Sequence, residues 1–321
     1  MMKAAVNTQY GPPHVISIDH VKKPVPRKNE ILVKVIASTV NRTDCAILRA
    51  KPPIMRLFTG LFKPGKIIPG TDFAGIVEAI GKNVKYFVPG HRVFGFDDSG
   101  LCSKAGYLTI SHKKAVLRMP DDISYWKAAA SIEGAHYAYN FLNKIDLKKY
   151  DRVLVNGATG AIGSAMVQLL DYLEADVTAT GNTKNIPLLK SLGANHVIDY
   201  QKEDFTQSTQ KYSFIFDAVG KSSFSKCKEL LEKGGVYMSS ELGYMGQNVF
   251  YSVFKFLTGD KKVKFPFPTK PKESLGLVRK LMKEGKYDPV IERVYKLEDI
   301  VKAYEYVETG QKTGNVLIKI F

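Results

Sequence analysis

Val153-Leu-Val-Asn-Gly157-Ala-Thr-Gly160-Ala-Ile-Gly163 is the stretch that decides the fold. A short apolar run leads straight into three glycines spaced three apart, and Gly163–Leu173 continues with helical patterning. Glycine lets such a turn be tight, lets backbone N–H groups approach a pyrophosphate and lets the helix pack closely on the sheet. The unpaired N–H groups and the dipole at the helix N-terminus then hold the anion. Glycine spacing alone is a weak signal; the strand before it and the helix after it make it specific. Gly157, Ala158, Thr159, Gly160, Ala161, Ile162 and Gly163 are therefore expected to bind a dinucleotide.

Downstream, strands and helices alternate. Asp176–Thr180, His196–Ile198, Phe214–Ala218 and Gly235–Ser240 read as strands, with helices over Lys184–Leu192 and Ser225–Leu231. This order predicts a parallel sheet with helices on both faces. Upstream, Glu30–Ala37 alternates apolar and polar residues, and Phe73–Ile80, Arg92–Phe96 and Gly106–Ile110 are short apolar runs between Gly and Pro, so the first 120 residues read as a barrel-like lobe of strands. Ser124–Leu142 is Ala-rich, with Ser124 as a helix cap. Helices follow over Ser274–Glu284 and Asp299–Thr309, and a last strand, Val316–Ile320, is expected to return to the first lobe. The α/β domain, residues 123–267, is then an insertion in a discontinuous domain of residues 1–122 and 268–321.

Composition bounds the function. The 321 residues are 45% hydrophobic and 24% charged, which excludes a disordered chain, a collagen and a coiled coil. No run approaches the ~18 apolar residues of a membrane span, and no signal-peptide h-region is visible in Met1–Gly11. Cys45, Cys102 and Cys227 are distant in sequence and odd in number, which fits unpaired thiols in a reducing, cytoplasmic setting. The net charge of +16 raises nucleic acid or an anionic membrane as partners. It is uneven: +12 over residues 1–150, −3 over 151–220 and +7 over 221–321. The excess spares the nucleotide-binding segment and forms no block of like charges, so nucleic acid is not expected.

The strand after the glycine turn selects the dinucleotide. An NAD site usually carries Asp or Glu about 20 residues on, to accept hydrogen bonds from the ribose 2′-OH. Asp176–Thr180 instead ends in Gly181-Asn182-Thr183-Lys184, where an amide, a hydroxyl and a cation suit a 2′-phosphate. NADPH is the expected cofactor.

These segments together resemble the medium-chain dehydrogenase/reductase superfamily, and within it the zinc-free quinone-oxidoreductase (zeta-crystallin-like) branch. Ala37-Ser-Thr-Val-Asn41-Arg-Thr-Asp44, Pro69-Gly-Thr-Asp72-Phe-Ala-Gly75, Pro89-Gly-His91-Arg-Val93, Ser191–Tyr200, Phe216–Gly220 and Gly310–Asn315 occur in the family's order over nearly the whole chain. His91 departs from the usual Asp. The resemblance implies a Rossmann doubly wound parallel sheet inserted into a β-rich GroES-like barrel domain. The zinc-dependent branch has a Cys ligand where this chain has Asn41 and a His-Glu pair where it has Thr71-Asp72; of its structural zinc loop only Cys102 is present. The six histidines are scattered, so no metal site is expected. Without a Lewis acid, alcohol oxidation is disfavoured. Hydride addition to a quinone or to the β-carbon of an enone or enal spreads charge onto a conjugated oxygen and needs orientation plus a hydrogen-bond donor. An NADPH-dependent reductase of quinones or α,β-unsaturated carbonyls is the implied function. The alternative is an NADP-binding protein without catalysis, a redox sensor or an RNA- or membrane-associated protein.

By resemblance, Asn41, His136 and Tyr137 are candidate catalytic residues, and Asp72 is weighed as a cap or lysine partner. Gly181, Asn182, Thr183, Lys184, Tyr200, Val219, Ser240, Glu241, Leu242, Phe265, Phe267 and Asn315 join the glycine turn as cofactor contacts. Tyr251-Ser-Val-Phe-Lys255 has the Tyr-x-x-x-Lys spacing of short-chain reductases, but their glycine turn is N-terminal, so the match reads as chance. Arg49–Lys66 and Val249–Lys264 mix aromatic residues with cations. They read as a cleft or homodimer contact, with weak attraction to an anionic membrane as the sharper alternative.

Overall fold

The computed structural model describes the backbone of residues 1–321 and all side chains except those of Ile54, Met245, Lys255 and Phe256. Lys255 of the Tyr-x-x-x-Lys match, and Lys255 and Phe256 of the second aromatic stretch, thus lie outside the described side chains. The chain forms two compact units, Met1–Glu133 with Lys270–Phe321, and Gly134–Thr269.

The first unit is built on Glu30–Val40, a strand of 11 residues. One edge pairs antiparallel with Asp72–Ile80. The other is shared: Glu30–Lys34 pairs with Tyr107–Ser111, and Ala37–Val40 pairs with Asn315–Lys319. The pairing with Asp72–Ile80 shifts register twice, with Glu78 the extra residue on the partner at Leu32/Val33 and Ile36 the extra residue on this strand at Val35/Ala37. The sheet continues through Arg92–Phe96 to Ala115–Arg118, and at the other end through Asn315–Lys319 to Ile291–Lys296. The alternating residues Ile31, Val33 and Val35 point inward with Phe73, Val93, Leu108 and Val116. The last strand does return to the first lobe, with Leu317 opposite Thr39.

Ser124–Leu142 is two helices rather than one, Tyr125–Ala130 and Glu133–Leu142. Ser124 caps the first, its Oγ accepting from Lys127 N at 3.2 Å. The break follows at Ser131, whose Oγ donates to Ala128 O at 2.8 Å. Ala128, Ala129 and Ala130 pack on Ala37, Ala74, Phe94 and Leu317, which places this helix in the first unit.

The second unit is a six-stranded parallel sheet in the order His196–Asp199, Asp176–Gly181, Arg152–Asn156, Tyr212–Asp217, Leu231–Ser239, Lys262–Lys264. Numbered along the chain this is 3-2-1-4-5-6, the doubly wound order, with Arg152–Asn156 at its switch point. Two helices are shorter than expected. The one expected from Lys184 opens as a 3-10 turn, Thr183–Asn185, because the Asn182 side chain accepts from Asn185 N at 3.1 Å; α-helix covers only Ile186–Ser191. The one expected over Ser225–Leu231 is helical at Phe224–Cys227 and then 3-10, since Leu231 already begins the next strand. Among the described residues no helix is long and apolar enough to cross a membrane.

Candidate active site

In the second unit, Arg152–Asn156 ends in Gly157, whose φ of +75° only glycine adopts readily. A Cβ at Gly163 would lie 2.2 Å from the Gly157 carbonyl oxygen, so the helix can start this close to the turn only with glycine there. Gly160 is the N-cap of Ala161–Tyr172 and has no side chain to cap it. The N–H groups of Ala161, Ile162 and Gly163, in the first turn, have no carbonyl within the helix to meet. A cradle without Cβ atoms and an uncapped helix start is what a pyrophosphate fits.

The rim of this cradle is held by a buried network that sequence reading did not single out. Thr180 Oγ1 accepts from Gly157 N at 3.0 Å and donates to Asn156 Oδ1 at 2.8 Å. The Asn156 amide donates to Asp217 Oδ1 at 3.1 Å. Asp217, fully buried, also accepts from Val219, Gly220 and Ser222 N. The three strand ends are thus one hydrogen-bonded unit. Its sequence signal was an Asn and an Asp at the ends of apolar strands, where a buried polar side chain must find partners.

The expected 2′-phosphate residues divide. Thr183 Oγ1 donates to Asp199 Oδ2, so that hydroxyl is engaged with a carboxylate of the neighbouring strand. Asn182 is used as a cap, while Lys184 is exposed. Tyr200 is 53% exposed, and its N donates to Gly181 O at 3.0 Å. Ser240 N donates to Asp217 O, while its Oγ is buried with no hydrogen-bond partner. An orphan hydroxyl at a strand's carboxyl end is the kind of group a bound nucleotide satisfies. Glu241 packs on Gly220 and Leu242 is exposed. The rings of Phe265 and Phe267 meet edge to face at 4.7 Å. His136 is buried, and burial pushes its imidazole down to about 4. Tyr137 is partly buried, its ring 5.7 Å from that of His136.

In the first unit Asn41 caps the helix Arg42–Arg49, and its backbone N donates to Asp44 Oδ2 at 2.9 Å in a capping box. Its buried side-chain amide donates to Thr39 Oγ1 at 2.6 Å and to Glu133 Oε2 at 3.1 Å. Thr71 Oγ1 donates to the same oxygen at 3.1 Å. Asp72 accepts from Ser38 Oγ, Thr39 N and Thr39 Oγ1. Lys104, with no exposed surface, donates to Ser38 Oγ and Thr39 O and lies 3.9 Å from Asp44 Oδ1. Asn315 is buried in the same unit; its Nδ2 donates to Val290 O, and its Oδ1 has no partner.

Glu133 and Lys104 are buried charges of this cluster that sequence reading missed. Their signal was a single charge inside a run of small residues, Ala128–Ala135 and Ser103–Gly106. A charge in such a segment is buried only when paired. Burial, with the Asp44 and Asp72 carboxylates nearby, pushes Glu133 up to about 8; burial pushes Asp44 up to about 6 against the pull of Lys104.

The positions of the zinc-dependent branch's ligands therefore hold an amide, a hydroxyl and a carboxylate, each already hydrogen-bonded within the cluster. Among the described residues no three His, Cys, Asp or Glu side chains gather as metal ligands. This donor set does not fit zinc, which takes three or four converging Cys, His or carboxylate ligands.

Comparison with known proteins agrees with both units. Residues 27–136 match the family model described as alcohol dehydrogenase GroES-like domain, and residues 192–318 the one described as zinc-binding dehydrogenase. The chain is 30% identical over 337 residues to quinone-oxidoreductase QR1, chloroplastic, of Triphysaria versicolor, covering 99% of this chain and 98% of that one. It is 29% identical over 330 residues to 2-methylene-furan-3-one reductase of Solanum lycopersicum, covering 99% and 79%. The quinone oxidoreductase of Coxiella burnetii superposes with a TM-score of 0.88 at 26% identity, covering 100% and 99%. With this coverage and with side chains that replace the zinc ligands, the chain belongs to the medium-chain dehydrogenase/reductase superfamily, in its zinc-free quinone-oxidoreductase branch.

Proposed function

We propose that the protein is a zinc-independent reductase that moves hydride from NADPH to quinones or α,β-unsaturated carbonyls. The observation that carries this reading is the Asn41–Glu133–Thr71 cluster: hydrogen-bonding side chains stand where a Lewis acid would be needed for alcohol chemistry. Relatives named 2-methylene-furan-3-one reductase, NADPH-dependent alkenal/one oxidoreductase and quinone-oxidoreductase support the substrate class and the cofactor.

NADPH, when bound, supplies the hydride. Gly157–Gly163 hold its pyrophosphate through backbone N–H groups. Lys184 pairs with the 2′-phosphate, with Gly181, Asn182, Thr183 and Tyr200 lining that end. Val219, Ser240, Glu241, Leu242, Phe265, Phe267 and Asn315 are the further nucleotide contacts. Asn41, whose two amide N–H groups are held by Thr39 and Glu133, offers its side-chain oxygen to a hydroxyl of the nicotinamide ribose. His136, neutral at physiological pH, and Tyr137 offer hydrogen bonds. An NADPH oxidation screen over 1,4-quinones, enones and medium-chain enals tests the reading. Turnover with either class is expected, and NADPH binding without turnover of any acceptor would favour a non-catalytic protein.

We infer a homodimer, since the stretch Val249–Lys264 exposes Phe250, Val253 and Leu257, apolar side chains that a second copy can cover; sedimentation at micromolar concentration tests this. We also infer weak contact with anionic membranes. Phe58 and Phe62 are 80% and 88% exposed among Arg56, Lys63 and Lys66, and no acidic residue occurs between Cys45 and Thr71. The free thiols of Cys45, Cys102 and Cys227 fit a reducing compartment such as the cytoplasm.

A further inference from the structure

In the network around Asn41 the first unit buries three carboxyl groups, those of Asp44, Asp72 and Glu133, which do not converge as a ligand set. Two ammonium groups face them, Lys104 near Asp44 and Lys312 near Glu133. The phenol of buried Tyr304 also faces all three acids. Lys312 is faced in turn by Glu292, Arg42 and Cys45. Two carboxylates balance two ammonium groups. A third carboxylate there would be an uncompensated buried charge, which costs far more than keeping the proton.

The geometry selects which acid keeps it. Asp72 accepts three hydrogen bonds, and Asp44 has a backbone donor and Lys104. Among the described residues, Glu133 Oε2 accepts from Asn41 and Thr71, the Thr43 hydroxyl also reaches the carboxyl group, and both other acids raise it. A hydroxyl can accept as well as donate, so this shell tolerates a protonated acid.

Reduction of an enone or quinone by hydride consumes one proton. An amide such as Asn41 donates a hydrogen bond but releases no proton at neutral pH. His136, pushed down by burial, carries no spare proton there. Resting on the reductase reading above, we propose that Glu133 is the proton donor of the reaction. After hydride reaches the acceptor, the Glu133 O–H bond breaks and the proton moves to the enolate or phenolate oxygen. The bonding pair stays on the Glu133 carboxylate, which recovers a proton from water before the next turnover. The sum is acceptor, NADPH and one proton giving reduced acceptor and NADP⁺.

Glu133→Gln keeps the shape and an oxygen for Asn41 and Thr71 but has no acidic proton. Its kcat with an enone is expected to fall by about 10²-fold or more, with the Kd for NADPH within about twofold of wild type. The wild-type kcat falls above about pH 8, and the variant loses that alkaline limb. Glu133→Asp, which keeps an acid, recovers part of the rate. In the cofactor-free wild type the infrared band of a protonated carboxyl group is expected at neutral pH, titrating away at alkaline pH and missing from Glu133→Gln. A variant with wild-type kcat and an unchanged pH profile, or no such band in the wild type, overturns the assignment. The infrared titration decides it alone if the variant does not fold. Wild-type protein that reduces no quinone and no enone instead removes the reductase reading and this assignment with it.

Discussion

Glu133 and Asn41 are 92 residues apart in the chain, and the Asn41 amide donates to Glu133 Oε2 at 3.1 Å. The bond joins the start of one helix to the N-cap of another and ties two segments that share no local signal. Thr71 completes the arrangement on the same oxygen. Its chemistry follows from burial: in a dry, charge-balanced cluster a carboxyl group is held neutral, and an amide is held in one orientation.

Folding stability reports the state of Glu133. Its carboxyl group ionises near 4.5 in the unfolded chain and is pushed up to about 8 by burial in the folded one. Between those values the folded state binds more protons, so this group's contribution to stability falls as pH rises through the window and is constant above it. Urea midpoints measured from about pH 5 to about pH 8 should therefore drop more steeply for wild type than for Glu133→Gln. Parallel curves would mean that the carboxyl is ionised throughout.

Lys104 compensates the buried carboxylate of Asp44. Lys104→Met keeps length and removes charge, leaving Asp44 without its ion pair and Ser38 and Thr39 O without a donor. Destabilisation of ~3–5 kcal/mol is expected from equilibrium unfolding. A loss below ~1 kcal/mol would show the cation to be dispensable.

The cradle at Gly163 has no room. Gly163→Ala puts a Cβ 2.2 Å from Gly157 O and 2.6 Å from Ala158 Cα, both backbone atoms. The turn must open, and NADPH affinity measured by fluorescence titration should fall by at least ~10-fold, about 1.4 kcal/mol. Unchanged affinity would place the pyrophosphate elsewhere.

Lys184 separates the two nicotinamide cofactors. It is exposed, and removing a charge-assisted contact costs about 1.5–3 kcal/mol. Lys184→Ala should weaken NADPH by roughly 10- to 100-fold and leave NADH nearly unchanged. Equal losses for both would mean that Lys184 does not meet the 2′-phosphate.

Membrane attraction rests on Phe58 and Phe62 with their flanking cations. The double change Phe58→Ser and Phe62→Ser should reduce co-sedimentation with phosphatidylserine vesicles by about 10-fold, with catalysis of a water-soluble enone retained. Wild-type binding to neutral vesicles as strong as to anionic ones would contradict an electrostatic contribution.

Much of the fold was legible in local sequence. Glycines at three-residue spacing between an apolar run and a helix have one physical reading, and the strand–helix alternation around them sets a parallel sheet. Asn41, Thr71 and Asp72 also stood out, because they occupy positions where the zinc-dependent branch has ligands. Ser124 as a cap followed from local hydrogen bonding, which needs only residues three apart.

Helix ends were less legible, because capping competes with helix continuation: the Asn182 side chain holds a 3-10 turn where helix was expected. The rest of the polar cluster was not legible. Glu133, Lys104 and Asp44 are scattered over the chain, and each alone reads as a solvated charge. Which charges lose water, and which of them meet, is decided when Glu30–Val40 pairs with Asp72–Ile80 and the helix Tyr125–Ala130 packs on the sheet. A dinucleotide fold without zinc ligands can be read from single segments, since turn geometry and ligand identity are local properties. That Glu133 is the buried acid beside Asn41 emerges with the assembled core, since desolvation and charge balance exist only there.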